Sequence, residues 1–310
     1  MINFVEQSFD FVPQEPGIEG MYKMMERAAR QCYKTEHLIK EGSAHKIIDD
    51  ICIANGHTSV TEFGTVYLKL KLENENEWKV YFKYDDDRYT RVNVVNEDNA
   101  HYVYITTTYR TILQGDYEDP IEAIKNHFDK SWKDDLKYWC EPTEHHFKRY
   151  CYHFVMDRVG SQSVERHRGV YGISYAQEST RYVNYGKDRF NKTITCCLPS
   201  KFYSLVDKYD IGNMNIDEQL AYLKENDKGW NIYELSLEND SDTYMELISE
   251  NWKPEEARGA LPLDIKTEFL MCAYPEDWEM WFFRRTDSHA HPQIQRVANE
   301  LKADFDKRSK

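Results

Sequence analysis

The apolar period changes early in this chain, and the change restricts the fold more than any other feature. Met21, Met24, Met25, Ala28, Ala29 and Cys32 fall three or four residues apart, the spacing of one helix face. Ser43 is placed to cap a second helix, with Ile47, Ile48, Ile51 and Cys52 on its apolar side and Gly56 at its end. From Val66 the period drops to two. Val66, Leu68, Leu70 and Leu72 alternate with Tyr67, Lys69 and Lys71, as in a half-buried strand. After the polar stretch Glu73–Glu77, Val80, Phe82 and Tyr84 repeat the alternation, which predicts a hairpin, and Tyr102–Thr107 reads as a further strand. Strands joined by short loops favour an antiparallel sheet.

Helical spacing then returns. Phe147, Tyr150, Cys151, Phe154 and Val155 predict a helix started by Pro142 or Thr143. Pro275 opens a helix carrying Trp278, Trp281, Phe282 and Arg285, and Pro292 opens a last one carrying Ile294, Val297, Ala298, Leu301 and Phe305. The spacing of Trp278, Trp281 and Phe282 is that of core packing. Residues 201–250 are polar, charged and weakly periodic, and read as a peripheral helical insertion. The expected architecture is α+β, an antiparallel sheet flanked by helices. No repeat or Gly/Ser linker divides the chain, so residues 1–310 are read as one domain, with insertions near 76–98 and 201–245.

Composition excludes several classes. Aromatic residues make up 14% of the chain, too many for disorder. No apolar run is long enough for a membrane helix, and the first residues have no signal-peptide pattern, so a cytoplasmic location is expected. Seven scattered cysteines without a C-x-x-C pair argue for buried reduced thiols rather than a disulfide framework or structural zinc. A net charge of −14 disfavours nonspecific binding to nucleic acid or membrane. Residues 157–189 run against that background. Six cationic side chains and four carboxylates leave this stretch positive, which suits a small anion better than a polymer.

Within that stretch lie Arg166-His167-Arg168 and then Ser174-x-x-Gln177-Glu178-Ser179-Thr180-Arg181-Tyr182. Arginine carries a permanent charge on a planar fork of donors that matches phosphate oxygens. The pattern resembles the signature of the flavin-dependent thymidylate synthases. Other segments agree in order and spacing: Glu26-Arg-Ala-Ala-Arg30-x-Cys-Tyr33, Gly56-His57-Thr-Ser59-x-x-Glu62 and Cys140-Glu-Pro-Thr-Glu144. Glu256-Ala-Arg258-x-x-Leu-Pro262 and Arg285-Thr-Asp-Ser-His289 complete the set.

The resemblance implies a homotetrameric enzyme that makes dTMP from dUMP. Methylene-tetrahydrofolate would supply the carbon, FAD would carry the hydride, and NADPH would provide electrons. Arg166, His167 and Arg168 would hold FAD, with Ser59 and His57 contributing. Gln177, Glu178, Ser179, Thr180 and Arg181 would line the dUMP site, Gln177 also on its flavin side, with Arg181 as main phosphate ligand. Ser163 and Arg258 would reach the same nucleotide, and Arg285 would help ionise the uracil imide. The sequence departs from the family in three extra residues within 169–173. Phe63 stands where a histidine is common, and Tyr274 and Met280 stand where polar flavin contacts are usual.

Three other readings compete. His145-His146 and His289-x-His291 invite a metal, but adjacent helical histidines diverge and metal pairs prefer i,i+4, so no metal is expected. Tyr102, Tyr104 and Tyr109 suggest a base-stacking platform for single-stranded nucleic acid, against which the acidic charge weighs. A family member that keeps the fold without activity is the third.

Overall fold

The computed structural model describes residues 2–85, 87–97, 99–114, 135–166 and 172–309. The first helix, Gly17–Tyr33, buries Met21, Met24, Met25, Ala28 and Ala29 as its period requires. Gly20 permits this packing, because a Cβ there would lie 1.9 Å from the Glu15 carbonyl oxygen. The helix ends where Lys34 turns left-handed and donates its N–H to Arg30 and Gln31.

The second helix differs from expectation at its start. Ser43 does not cap it; its hydroxyl donates 2.7 Å to Glu26, and left-handed Gly42 precedes the first turn. The helix runs Ser43–His45 and widens into π-helix over Lys46–Ile53. That wider winding leaves Ile51 exposed on a face where 3.6-residue spacing would bury it. Gly56, left-handed as anticipated, closes the helix.

Nine strands lie among the described residues: β1 Asn3–Val5, β2 Ser8–Phe11, β3 Thr65–Lys71, β4 Arg91–Glu97, β5 Ala100–Thr108, β6 Tyr150–Asp157, β7 Ser174–Gln177, β8 Thr195–Cys197 and β9 Lys266–Ala273. They form a central antiparallel sheet β2-β6-β9-β7, a second antiparallel sheet β3-β5-β4 and a parallel pair β1-β8. The mixed α+β architecture expected from the sequence is the one observed.

Two predicted elements are corrected. Val80, Phe82 and Tyr84 lie on a helix, Glu75–Asp85, not on a strand. Only Tyr84 of the three is fully buried, while Phe82 is 65% exposed. The partner of β3 is instead β5, and the hairpin is β4–β5, turned at left-handed Asn99. Tyr150–Val155 is the strand β6 rather than a helix. Its residues lack strict alternation because the central sheet is covered on both faces. Cys151 packs with Leu270, Cys272 and the first helix. Phe154 and Met156 pack with Trp278, Trp281, Phe282, Leu301 and Phe305 from the helices Pro275–Arg285 and Pro292–Arg308. A strand buried on both sides reads as a continuous apolar run, which mimics helix spacing.

Residues 200–249 are helical, as anticipated: Ser200–Tyr209, Ile216–Asn226 and Lys228–Ser249. Asn215 and Glu218 form a capping box on the second, and Asp227 caps the third. These helices enclose a separate cluster of Leu198, Phe202, Leu205, Ile211, Leu223 and Trp230. No described helix is long and apolar enough to cross a membrane.

Candidate functional site

β7 and the turn after it carry the densest set of candidate residues, and the surrounding elements fix their backbone. The Glu178 N–H donates to the Glu268 carbonyl on β9, and the Ser179 N–H to the Cys32 carbonyl at the end of the first helix, at 2.8 and 3.0 Å. Arg158 donates to the Glu178 carbonyl (3.0 Å) and to Thr267 (3.2 Å). The Gln177 amide donates to Ser161 (2.5 Å), tying the strand to the helix Arg158–Glu165. Asp157 caps that helix through the Gly160 N–H and is itself held by Gln7 and Gln293.

Glu178 is buried, with one oxygen accepting from Tyr185 at 2.7 Å. Its other oxygen, equally buried, has no hydrogen-bond partner among the described residues. Burial pushes its carboxyl above the usual range, although Lys266 and Lys34 oppose the shift. Beside it, Glu268 accepts from Lys34 (2.8 Å), His153 (3.1 Å) and Lys266. Burial alone would raise the Glu268 carboxyl, but the His153 hydrogen bond and the two lysine charges hold it well below the usual range. No sequence motif pointed to Lys34, His153 or Lys266, because they come from three separate elements.

Past Glu178 the turn reaches solvent. Arg181, exposed, donates to Glu255 at 2.9 Å and lies over the Tyr182 ring. Arg258, also exposed, acts on Glu255 through its charge without an ion pair to it among the described residues. Ser179 and Thr180 are half-buried between these groups.

Tyr182 also borders a cleft of about 400 Å³, lined by Cys32, Tyr33, Cys52, Gly56, His57, Ser59, Val60 and Arg110 among others. The Tyr33 and Tyr182 rings are 5.2 Å apart, and the Tyr33 hydroxyl is 3.1 Å from His57 Nδ1. Arg110 donates to Glu62 at the cleft wall. His57 and Ser59 thus share a cavity with the turn that follows β7. Arg110 was not legible in the sequence; it follows a tyrosine-rich strand with no motif around it. Burial pushes the Cys32 thiol up to about 12 and the Cys52 thiol to about 11, so both stay protonated at neutral pH.

Arg285 ends the helix Pro275–Arg285 and donates to the Ser163 carbonyl. Burial lowers its pKa, and the neighbouring charges of Arg166 and Arg284 act in the same direction. Arg285 and Ser163 are therefore in contact, and Arg166 is near enough for its charge to act on Arg285. His167 and Arg168 lie outside the described residues, as do 169–171 of the longer loop. At its described end, Gly172 has no room for a Cβ, which would meet the Arg88 carbonyl oxygen at 2.3 Å.

Several competing readings lose support. Tyr104 and Tyr109 are buried, and the Tyr109 hydroxyl is bonded to Tyr22 at 3.0 Å, so they offer no stacking platform. His146 Nδ1 accepts the Thr143 N–H, which places its proton on Nε2, facing the Leu68 carbonyl. It has no lone pair to accept a proton from Cys140, 3.7 Å away. No cluster of three metal-ligating side chains occurs among the described residues. All seven cysteines are free thiols. Tyr274 is buried with its hydroxyl given to the Tyr89 and Thr106 carbonyls, and Met280 lies at the surface.

No curated protein matches the chain significantly. A family model does: that of the thymidylate synthase complementing protein, over residues 88–308. The matched span is well over half of the chain. It contains β7, the Gln177–Tyr182 turn and both arginine groups, while His57 and Ser59 precede it and join the site through the cleft. The chain belongs to this family, the flavin-dependent thymidylate synthases.

Proposed function

We propose that the protein converts dUMP to dTMP, with methylene-tetrahydrofolate as carbon donor, FAD as hydride carrier and NADPH as reductant. The reaction consumes one reduced nicotinamide and releases tetrahydrofolate with the product. The observation that carries this reading is the placement of the Gln177–Tyr182 turn. It runs from a buried, half-partnered carboxylate at Glu178 to the exposed Arg181 and ends at Tyr182, which lines an open cleft.

The residues present fit a flavin nucleotide and a second nucleotide. Arg181 and Arg258 would grip the dUMP phosphate, exchanging the exposed Glu255 contact for charge-assisted forks. Ser163, Ser179 and Thr180 would add donors to the same nucleotide. The unpartnered oxygen of Glu178 would accept from a ligand N–H or O–H, since a buried carboxylate oxygen left without a partner is costly. Gln177, His57 and Ser59 would contact the flavin, and Arg166, His167 and Arg168 would help to hold it. Bound FAD supplies the hydride. Arg285 would lie by the uracil imide, where a fixed cation favours the deprotonated form. Cys32 and Cys52, the cleft thiols, are held protonated by burial, so the chain offers no thiolate nucleophile there. A cleft of this size takes part of a dinucleotide, which fits a homotetramer whose subunits complete one another's sites.

The test is dTMP formation by the purified protein supplied with FAD, NADPH, methylene-tetrahydrofolate and dUMP. Arg285→Ala should lower turnover by about 10²–10³, the usual loss for a preorganised electrostatic group, while the protein stays folded and yellow. A wild type that makes no dTMP, or an Arg285→Ala variant with full turnover, overturns the assignment.

A further inference from the structure

One cation in the cleft belongs to none of the motifs shared with the family. Arg110 follows β5 on the short helix Tyr109–Gln114. The Tyr109 N–H donates to the Gly64 carbonyl (2.8 Å), and the Tyr109 hydroxyl is bonded to Tyr22. These contacts hold the start of the helix against Thr58–Phe63, the segment that supplies Glu62. Glu62 is fully buried, and a buried carboxylate needs a cationic partner. Arg110 Nη1 donates to it.

A guanidinium carries five donors in one plane, and this contact occupies one edge. Among the described residues, Nε and Nη2 of Arg110 have no hydrogen-bond partner, and the side chain is 23% exposed on the cleft. Glu62 therefore fixes the orientation of the fork and leaves an edge open. On the same cleft stand the exposed Ser59 hydroxyl, the His57 ring and the tilted Tyr33 and Tyr182 rings. An oriented guanidinium with a hydroxyl and an imidazole is a phosphate-binding set, and the tyrosines give a flat surface for a heteroaromatic ring.

We propose that Arg110, oriented by Glu62, binds a phosphate of the flavin dinucleotide in this cleft. The inference rests on the flavin reading above. It makes Arg110 a binding residue and Glu62 its positioning residue. Holding the fork in place before the ligand arrives lowers the ordering cost of binding.

Labelling of the wild-type protein with phenylglyoxal, read by peptide mass spectrometry, tests it without any variant. FAD and ADP should slow modification of Arg110 about tenfold, while riboflavin, which lacks phosphate, should not. Arg110→Gln should weaken FAD binding about ten- to a hundredfold, the range for a hydrogen bond to a charged group, and barely change riboflavin binding. Arg110→Lys should recover part of the loss. Unchanged FAD affinity in Arg110→Gln, equal losses for FAD and riboflavin, or protection by dUMP and not by ADP would each overturn the proposal. A wild type that takes up no flavin refutes the flavin reading itself. In that case protection of Arg110 by inorganic pyrophosphate upholds the phosphate site, and its absence removes it.

Discussion

The charges on the buried and exposed sides of the Gln177–Tyr182 turn are used in opposite ways. On the buried side, Glu268 gathers Lys34, Lys266 and His153 from three elements into one network. On the exposed side, Arg181 pairs with Glu255, a carboxylate that water also reaches, and Arg258 acts on it only through its charge. A buried ion network is demanded by the fold, because each charge removed from water must be compensated. A surface pair stabilises little, so its arginine can change partner at small cost. The difference separates residues that build the site from residues free to bind in it.

The largest expected effect breaks the buried side. Glu268→Gln leaves Lys34, Lys266 and His153 without their common anion and should cost about 3–5 kcal/mol of stability in urea unfolding. A loss below about 1 kcal/mol would mean the network is no more structural than the rim. Arg181→Ala tests the other side. It should weaken dUMP binding about ten- to a hundredfold by calorimetry, leaving the urea midpoint and FAD binding in place. If the midpoint falls and the affinity does not, the two sides have been assigned the wrong way round.

The smallest effect is one of pH, and it sharpens the comparison with a third carboxylate. Glu268 titrates below its unfolded value, so its stabilisation is present above about pH 4.5 and lost as pH falls. Asp277 is buried in the first turn of the Pro275–Arg285 helix, with Arg91 3.5 Å away, and burial raises its carboxyl to about 6. Its contribution is complete below about pH 4 and lost as pH rises to 6. Asp277→Asn should therefore gain about 1–2 kcal/mol over wild type at pH 7 and little at pH 4, as thermal melts across that range would reveal. A constant difference at all pH values would show that Asp277 acts by packing instead.

The sequence made the first helix, β3 and the two proline-started helices legible because each buries one face and exposes the other. β6 lost its period by being buried on both sides, and the helix Glu75–Asp85 was misread because aromatic side chains happened to alternate. The site divided along the same line. Arg181, Arg258, Glu178, Ser59 and Arg285 lie in compact motifs. Arg110 and the Lys34–Glu268 network gain meaning only when distant segments meet, which spacing along one chain does not record.

The parallel pairing of β1 with β8 has a consequence for the order of assembly. Phe4 leaves the ribosome roughly 190 residues before Cys196, the residue it lies opposite. Closing so long a loop is entropically expensive and slow. Phe4 also packs against Trp230 in the helical segment, so that segment gains its last aromatic neighbour only once β1 is seated. Asn3–Val5, made well ahead of the strand they pair with, then take their place only after Thr195–Cys197 has been made.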